Sequence, residues 1–403
     1  VTERGATFGE VFAVREFRVL FGSFALLVSG DSIKMLALSV LVYAQTGSPG
    51  LSAAAYMAGW LPYIFGGMFL LSLADRLPPR AVMITGELVR VAVCLLLAYA
   101  GLPVPAMLAL VLVTGLFSPV FGAARSALLP EVLPGDAFVL GRSLLGVTSA
   151  GAQVAGLAVG GVFLAVTGPH GALAVTAGLS AVAAVVLRFG LPYRPARGTA
   201  GRGAVRTTLR VNRQLLADRR VRGLLLACWL PTVCLAGAEA MVVPYLGGQG
   251  QAGVVLAMAA VGMAVGEFVV GRFVAPGLRE RLSLPLAVLL GLPWLAFLAS
   301  PGVAWAAALA AVAAAGLSYQ LGLQRRFLEA VPEAVRGQAF GLQSAGLMTG
   351  QAVGAALIGV LGEALGPGPA IVAAGGAGVL VALALAGALR PEPVAATRPS
   401  PGT

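Results

Sequence analysis

In this 403-residue chain 59% of residues are hydrophobic, and counting its 55 glycines makes about 73% apolar, well above the roughly 45 to 50% of water-soluble domains. Charged residues, only 11%, cluster between apolar runs of about twenty residues, the length that crosses some 30 Å of hydrocarbon, so the sequence expects a bilayer as its solvent. The net charge of +11 would suit nucleic acid only if arginines shared a soluble face with aromatics; here they lie between apolar runs, and no nucleic-acid partner is expected.

Residues 1 to 17, with Glu3, Arg4, Glu10, Arg15 and Glu16, form a short polar lead. The apolar run that follows is too long, and too polar at its centre, for a cleaved signal peptide. Cutting the rest at charges, Pro and Gly predicts helices one to six near 18 to 44, 51 to 73, 81 to 100, 104 to 123, 140 to 166 and 171 to 190. Residues 191 to 220 read as a basic, solvated linker carrying Arg194, Arg197, Arg202, Arg206, Arg210 and Arg213, held near an anionic membrane surface. Helices seven to twelve follow near 221 to 246, 252 to 274, 283 to 300, 303 to 322, 339 to 362 and 369 to 389. Residues 390 to 403, rich in Pro, Thr and Ser, are expected to be a disordered tail.

The expectation is an all-α membrane protein of twelve spans in two six-helix bundles, 18 to 190 and 221 to 389. Arg15, Arg18, Arg76, Arg80, Arg125, the linker arginines, Arg279, Arg281, Arg325, Arg326, Arg336 and Arg390 all fall on one side of the predicted spans. The connections on the other side hold no Lys or Arg, which assigns the basic side, and with it both termini, to the cytoplasm of an inner membrane. An internal repeat agrees with the division. Pro130, Glu131, Gly135, Ala137 and Phe138 recur 202 residues later as Pro332, Glu333, Gly337, Ala339 and Phe340, and the same shift carries Glu16, Arg18 and Val19 to Asp218, Arg220 and Val221.

Two local patterns add a family resemblance. Leu73-Ala74-Asp75-Arg76 followed by Arg80 resembles the loop signature between the second and third helices of the major facilitator superfamily, although Leu71, Pro78 and Pro79 depart from it. The opening, from Phe17-Arg18 through Gly30-Asp31 to Val42-Tyr43 and Thr46-Gly47-Ser48, is similar to the branch of macrolide-efflux and enterobactin-exporter proteins. In helix five Gly156, Gly160 and Gly161 resemble an antiporter signature in which Leu157 replaces the proline. The resemblance covers about residues 11 to 390 and implies transport by alternating access, with helices one, four, seven and ten lining a central cavity.

An ionised side chain at the bilayer centre costs about 2.5 to 3.5 kcal/mol, so each is a functional candidate. Asp31 and Lys34, one helical turn apart, either pair with each other to lower insertion cost, or Lys34 meets Glu239 of helix seven across the cavity. These three are the candidates for cavity and proton coupling. Asp75, Arg76, Arg80, Glu87 and Arg90, with Glu267 and Arg272 in the second half, are read as a cytoplasmic gate or as structural pairs that let helix ends tolerate water. Glycines at every fourth position, Gly156 and Gly160, Gly262 and Gly266, and Gly346, Gly350 and Gly354, are expected to let helices pack closely, either between halves to permit rocking or as the ordinary small-residue packing of a chain rich in Ala and Gly. Trp60, Phe117, Phe121, Gln153, Trp229, Tyr319 and Gln351 are candidate substrate contacts or ordinary packing and interfacial residues.

Cys94, Cys228 and Cys234 lie in apolar runs as packing residues, and His170 stands alone, so neither metal nor cofactor is expected. No phosphate-binding loop and no nucleophile with a spaced base stands out, so no enzyme is expected. The expected function is proton-coupled efflux of a small lipophilic molecule by a monomer; the alternatives are an importer or uniporter of the same fold, or a sensor that binds without moving its ligand.

Overall fold

The computed structural model describes residues 6–46, 62–197, 204–246 and 249–390, and these are helical, with no strand among them. Nine helices among the described residues are long and apolar enough to cross a membrane. Helix one runs Arg15–Thr46, helix three Pro79–Tyr99, helix eight Gln249–Phe273, helix eleven Arg336–Leu365 and helix twelve Pro367–Ala384. Helix seven continues from Arg219–Ala240 into Val242–Leu246. Of predicted helix two, residues 51 to 61, including Trp60, lie outside the described residues; the helix is described from Pro62–Phe69. The tail from Pro391 lies outside them too.

Breaks fall where the backbone chemistry demands them. Helices five and six, within Asp136–Gly190, are two helices parted at Gly168, whose non-helical φ of 69° favours a residue with no Cβ. Pro169 follows and withholds a donor. Helix nine begins as Ser283–Gly291 and tightens into a 3-10 stretch, Leu292–Ala299, where Pro293 removes an N–H.

The fourth helix of each half breaks at matching places. Val104–Gly115 gives way to Ser118–Val132, and Val303–Ala315 passes through the 3-10 turn Gly316–Ser318 into Tyr319–Ala330. The repeat thus persists in backbone shape as well as in residues. Its two phenylalanines also meet: the rings of Phe138 and Phe340 stand 6.3 Å apart, edge to face. A residue can touch its own repeat mate only at a pseudo-two-fold axis, so the axis relating the halves passes between these rings.

Two helices depart from the sequence expectation. Phe8–Ala13 forms on the polar lead, started by a capping box in which Thr7 and Glu10 bond each other's backbone N–H groups. The stretch expected to be a solvated linker contains the helix Ala204–Ala217, and its Thr208, Val211, Asn212 and Leu215 are buried. It docks rather than floats.

The close-packing glycines correct another expectation. Gly262 and Gly266 lie against the backbone of Ala311 and Ala315 in helix ten, while Gly346 meets Trp229 and Gly350 and Gly354 meet Val233 in helix seven. All these contacts lie within the second half, not between halves. Other small residues make the crossing between halves: Gly67 against Ala345, Gly341 against Leu71 and Ala123, and Gly271 against Ser143. Gly156 and Gly160 fall on the helical backbone of helix five, as does Gln153.

Candidate functional site

The first half buries a chain of five charges. Helix one sets Asp31 and Lys34 one turn apart, and Lys34 Nζ lies 2.7 Å from Asp31 Oδ1. Helix three does the same for Glu87 and Arg90, whose NH1 is 2.8 Å from Glu87 Oε2. Arg90 then reaches across to helix one, with Nε 3.3 Å from Asp31 Oδ1, and Arg125 of helix four approaches Glu87 Oε1 at 3.9 Å while lying over the Phe24 ring. Signs alternate along the chain Lys34, Asp31, Arg90, Glu87, Arg125, so each anion sits between two cations. Three cations and two anions leave one positive charge in excess. The side chain of Asp31 is 33% exposed and that of Glu87 2%, so the chain of charges is open at its helix-one end and buried in its interior.

This arrangement corrects the grouping of Glu87 and Arg90 with Asp75, Arg76 and Arg80: the structure joins the pair to Asp31. Of the two partners open to Lys34, the bond is to Asp31. Glu239, half-buried on helix seven, has no hydrogen-bond or ion-pair partner among the described residues. It lies two turns beyond Thr232 on the same helix face, and Gln320 of helix ten donates to Thr232 Oγ1 at 3.3 Å.

Among the described residues, the hydrogen bonds and ion pairs between the halves gather at the end that carries the linker. There the Asp75 carboxylate accepts from the N–H groups of Gly337 and Gln338 at 2.8 and 2.7 Å, the first turn of helix eleven, where the helix offers unsatisfied donors and partial positive charge. Burial pushes the Asp75 carboxyl up to about 6, against the opposing pull of the two N–H groups and of Arg197 and Arg336. The second half returns the contact with reversed polarity. Arg279, from the loop after helix eight, places NH1 2.6 Å from Asp136 Oδ1 at the first residue of helix five. Its remaining donors hold the last carbonyls of helix eight, Val270, Gly271 and Val274.

Deeper on the same interface, Ser143 Oγ donates to the Glu267 carbonyl at 2.5 Å, and the Glu267 carboxylate fills the space that a side chain on Gly146 would take. Glu267 Oε2 is buried without a hydrogen bond, and Arg142 of helix five is the cation whose charge acts on it. Arg272 does not pair with Glu267, contrary to the sequence expectation; its guanidinium lies 5.6 Å from the rings of Phe8 and Phe273. Phe8 in turn stacks on Phe268 at 5.4 Å, and Ala6 N–H reaches Asp136 Oδ2 at 2.8 Å, so the N-terminal helix straddles both halves. Arg76 meets Thr207 of the linker helix, and Arg80 the carbonyl of Arg188 within its own half.

The candidate substrate contacts divide. Tyr319 is fully buried with Oη 2.8 Å from the Ala227 carbonyl and 3.0 Å from that of Cys228, a core residue out of a ligand's reach in this conformation. Trp229 is held by its Nε1 donating to the Gln343 carbonyl at 2.8 Å, and Phe121 packs on Gly86. Phe117 is 41% exposed at the break in helix four, and Gln351 is half-buried. Arg142, Asp136 and Phe8 were not singled out from the sequence, and Arg125 and Arg279 were read only as basic residues of cytoplasmic connections, whereas Arg125 is buried against Glu87 and Arg279 bonds Asp136. The repeat could have found Asp136, since it is the mate of Gln338.

The sequence profile of the Major Facilitator Superfamily matches residues 20–323. The chain belongs to this superfamily. A search of curated proteins finds no sequence match. Among solved structures, the human organic anion transporter MFSD10 (TETRAN) is similar with a TM-score of 0.72 at 16% identity, covering 92% of this chain and 99% of that one. The E. coli fucose:proton symporter FucP also aligns at 0.72, with 12% identity and coverage of 92% and 98%. A bacterial homologue of the iron transporter ferroportin in an outward-facing state aligns at 0.72, with 14% identity and coverage of 93% and 99%. At these identities the likeness establishes the major-facilitator fold. The chain is therefore a multi-pass membrane transporter.

Proposed function

We propose that this transporter exports a small, largely apolar molecule across the plasma membrane in exchange for protons, with the linker end and both termini in the cytoplasm. The orientation rests on the Lys and Arg of the loops, which gather on the linker side. The observation that carries the reading is an asymmetry within the repeat. Shifted by 202 residues, Asp31, Lys34, Glu87, Arg90 and Arg125 fall on Val233, Ala236, Leu289, Leu292 and Phe327. A second bundle built on the same plan does without any of these charges, so the bundle itself does not require them. Burying them is costly, and a working role in transport explains their presence.

In this reading Asp31, compensated by Lys34 and Arg90, anchors the open end of the charged chain, and Glu239, which has no counter-ion among the described residues, carries the proton. Glu87 and Arg90 extend the cavity network. Asp75, with the bonded pair Asp136 and Arg279, and Glu267 facing Arg142, hold the cytoplasmic side shut. Opening them while the outer ends approach would expose Asp31 and Glu239 to the other compartment. Few charges and several candidate aromatics, Phe117, Phe121 and Trp229 among them, suit a lipophilic cargo.

The test is flux in liposomes under an imposed pH step, with Glu239→Gln and Asp31→Asn beside the wild type, after a sensitivity screen across antibiotics, dyes and siderophores with and without the gene. Loss of pH-driven flux in Glu239→Gln with counterflow retained supports the exchange. Undiminished pH-driven flux in both variants removes the proposed coupling. Uptake driven by inward protons would mark an importer, and ligand binding without counterflow a sensor.

A further inference from the structure

We infer that the linker helix, Ala204–Ala217, is a docking surface for anionic phospholipid, and that lipid bound there holds the linker end of the transporter shut. The helix presents three stripes. At about 100° per residue, its buried residues Thr208, Val211, Asn212 and Leu215 face the protein. Diametrically opposite, Arg206, Arg210 and Arg213 fall within about 60° of one another. Between these two faces, along one flank, Val205, Leu209 and Leu216 fall within about 40°. All three of these apolar residues are exposed, at 44, 43 and 36%.

Water gives no reason for three large apolar side chains to line up on one flank of a helix. The order protein, apolar stripe, basic stripe is that of a helix lying in a membrane interface, with its flank against acyl chains and its arginines reaching the phosphates. Charge agrees with that occupant. None of the three arginines has an ion-pair or hydrogen-bond partner among the described residues, and the helix contains no acid. A soluble polyanion would match the arginines and leave the apolar stripe unexplained.

The buried face connects the surface to the junction between halves. Thr208 Oγ1 accepts from the Ser72 N–H at 3.0 Å in the first half, next to the loop that carries Asp75. On the other side, Gln338 Nε2 donates to the Thr208 carbonyl at 2.7 Å and to Asn212 Oδ1 at 2.8 Å. Gln338 is the residue whose N–H meets Asp75. A lipid that fixes the linker helix in place therefore fixes both sides of the Asp75 contact. Only this second part of the inference rests on the alternating-access reading.

The experiment places the full-length protein in nanodiscs of neutral phosphatidylcholine, or of phosphatidylcholine with a third phosphatidylglycerol. Two things are read: amide hydrogen exchange over residues 204–217, and the separation of spin labels on the linker ends of helices five and eight. With a gain of about fivefold per arginine near an anionic surface, phosphatidylglycerol should slow exchange in the segment at least tenfold and raise the closed fraction. Arg206→Gln with Arg210→Gln and Arg213→Gln should remove both effects. Val205→Ser with Leu209→Ser and Leu216→Ser should weaken the protection in both kinds of disc.

Equal exchange in the two discs, or full response in the arginine variant, overturns the docking surface. The same protection from inorganic phosphate added to neutral discs would assign the site to a soluble anion and overturn the lipid. Protection by phosphatidylglycerol with label distances unchanged would keep the surface and overturn its link to the gate, leaving the transport reading to its own flux assay.

Discussion

Replacing Asp136 by Asn should open the linker end without unfolding the protein. Arg279 bonds Asp136 at 2.6 Å across the halves but also holds three carbonyls at the end of helix eight, within its own half. Loss of the carboxylate charge therefore costs the closed state alone, because Arg279 keeps its helix-eight bonds in either state. A hydrogen bond between charged groups contributes about 1.5 to 3 kcal/mol, and with the Asp136 side chain 16% exposed about 2 kcal/mol is a reasonable share. That is roughly a thirtyfold shift in the ratio of closed to open. Spin labels on the linker ends of helices five and eight report this ratio by pulsed distance measurement, and thermal unfolding in detergent reports overall stability. The expected result is a longer distance population with an unfolding midpoint close to wild type. An unchanged distance distribution, or an unfolding midpoint lowered while the distances stay put, would refute the assignment of this pair to the gate.

Further outcomes follow from the same geometry. Closing buries Asp75 and raises its carboxyl from 3.8 to about 6, so the closed state binds a proton that the open state, with an ordinary carboxyl, releases. The closed-to-open ratio should therefore rise as pH falls, about tenfold between pH 7 and 5, and Asp75→Asn should flatten the part of the profile due to this residue in the same distance assay. Phe8→Ala removes the stack on Phe268 and the cation–π contact with Arg272, together about 1 to 2 kcal/mol, and should shift the ratio toward open about tenfold. Arg90→Met removes the hydrogen-bonded cation of the buried Glu87 and leaves Arg125 at 3.9 Å as its counter-ion, and should lower stability by about 1.5 to 3 kcal/mol. Lys34→Met leaves Asp31 its second cation, Arg90, and should leave the unfolding midpoint nearly unchanged while altering transport.

Much of the fold was legible because the bilayer enforces it. Apolar runs of fixed length must become helices to satisfy their backbone, and the shared residues of the repeat located the starts of helices five and eleven that the structure joins by Phe138 and Phe340. Spacing within one helix was likewise legible: Asp31 with Lys34 and Glu87 with Arg90 each pair at three residues. Which helix faces which was not. That Arg90 turns to Asp31 depends on the rotation of helix three, and a hydropathy pattern nearly apolar all round does not specify rotation. The linker helix escaped because arginine and threonine read as solvated, while its fold depends on the buried stripe through Thr208 and Asn212. Arg272 was matched to Glu267 by sequence distance, yet it lies over two rings, its neighbour Phe273 and Phe8, more than two hundred positions away.

The two contacts that close the linker end have opposite polarity, and this permits a sharper test of rigid rocking than either gives alone. In one, a loop carboxylate meets the first N–H groups of helix eleven; in the other, a loop guanidinium meets a carboxylate at the start of helix five. Gly337→Ala would push a methyl group into the Asp75 carboxylate, an overpacking that costs about 1 to 3 kcal/mol in the closed state only. If the halves move as rigid bodies, Gly337→Ala and Asp136→Asn bias one two-state equilibrium. Their free energies then add, and their effects on the closed-to-open ratio multiply. Each contact opening by itself would instead produce intermediate label distances in the single variants, and a double variant no more open than the worse of the two. Multiplied ratios with only two distance populations are what one axis, running between Phe138 and Phe340, requires.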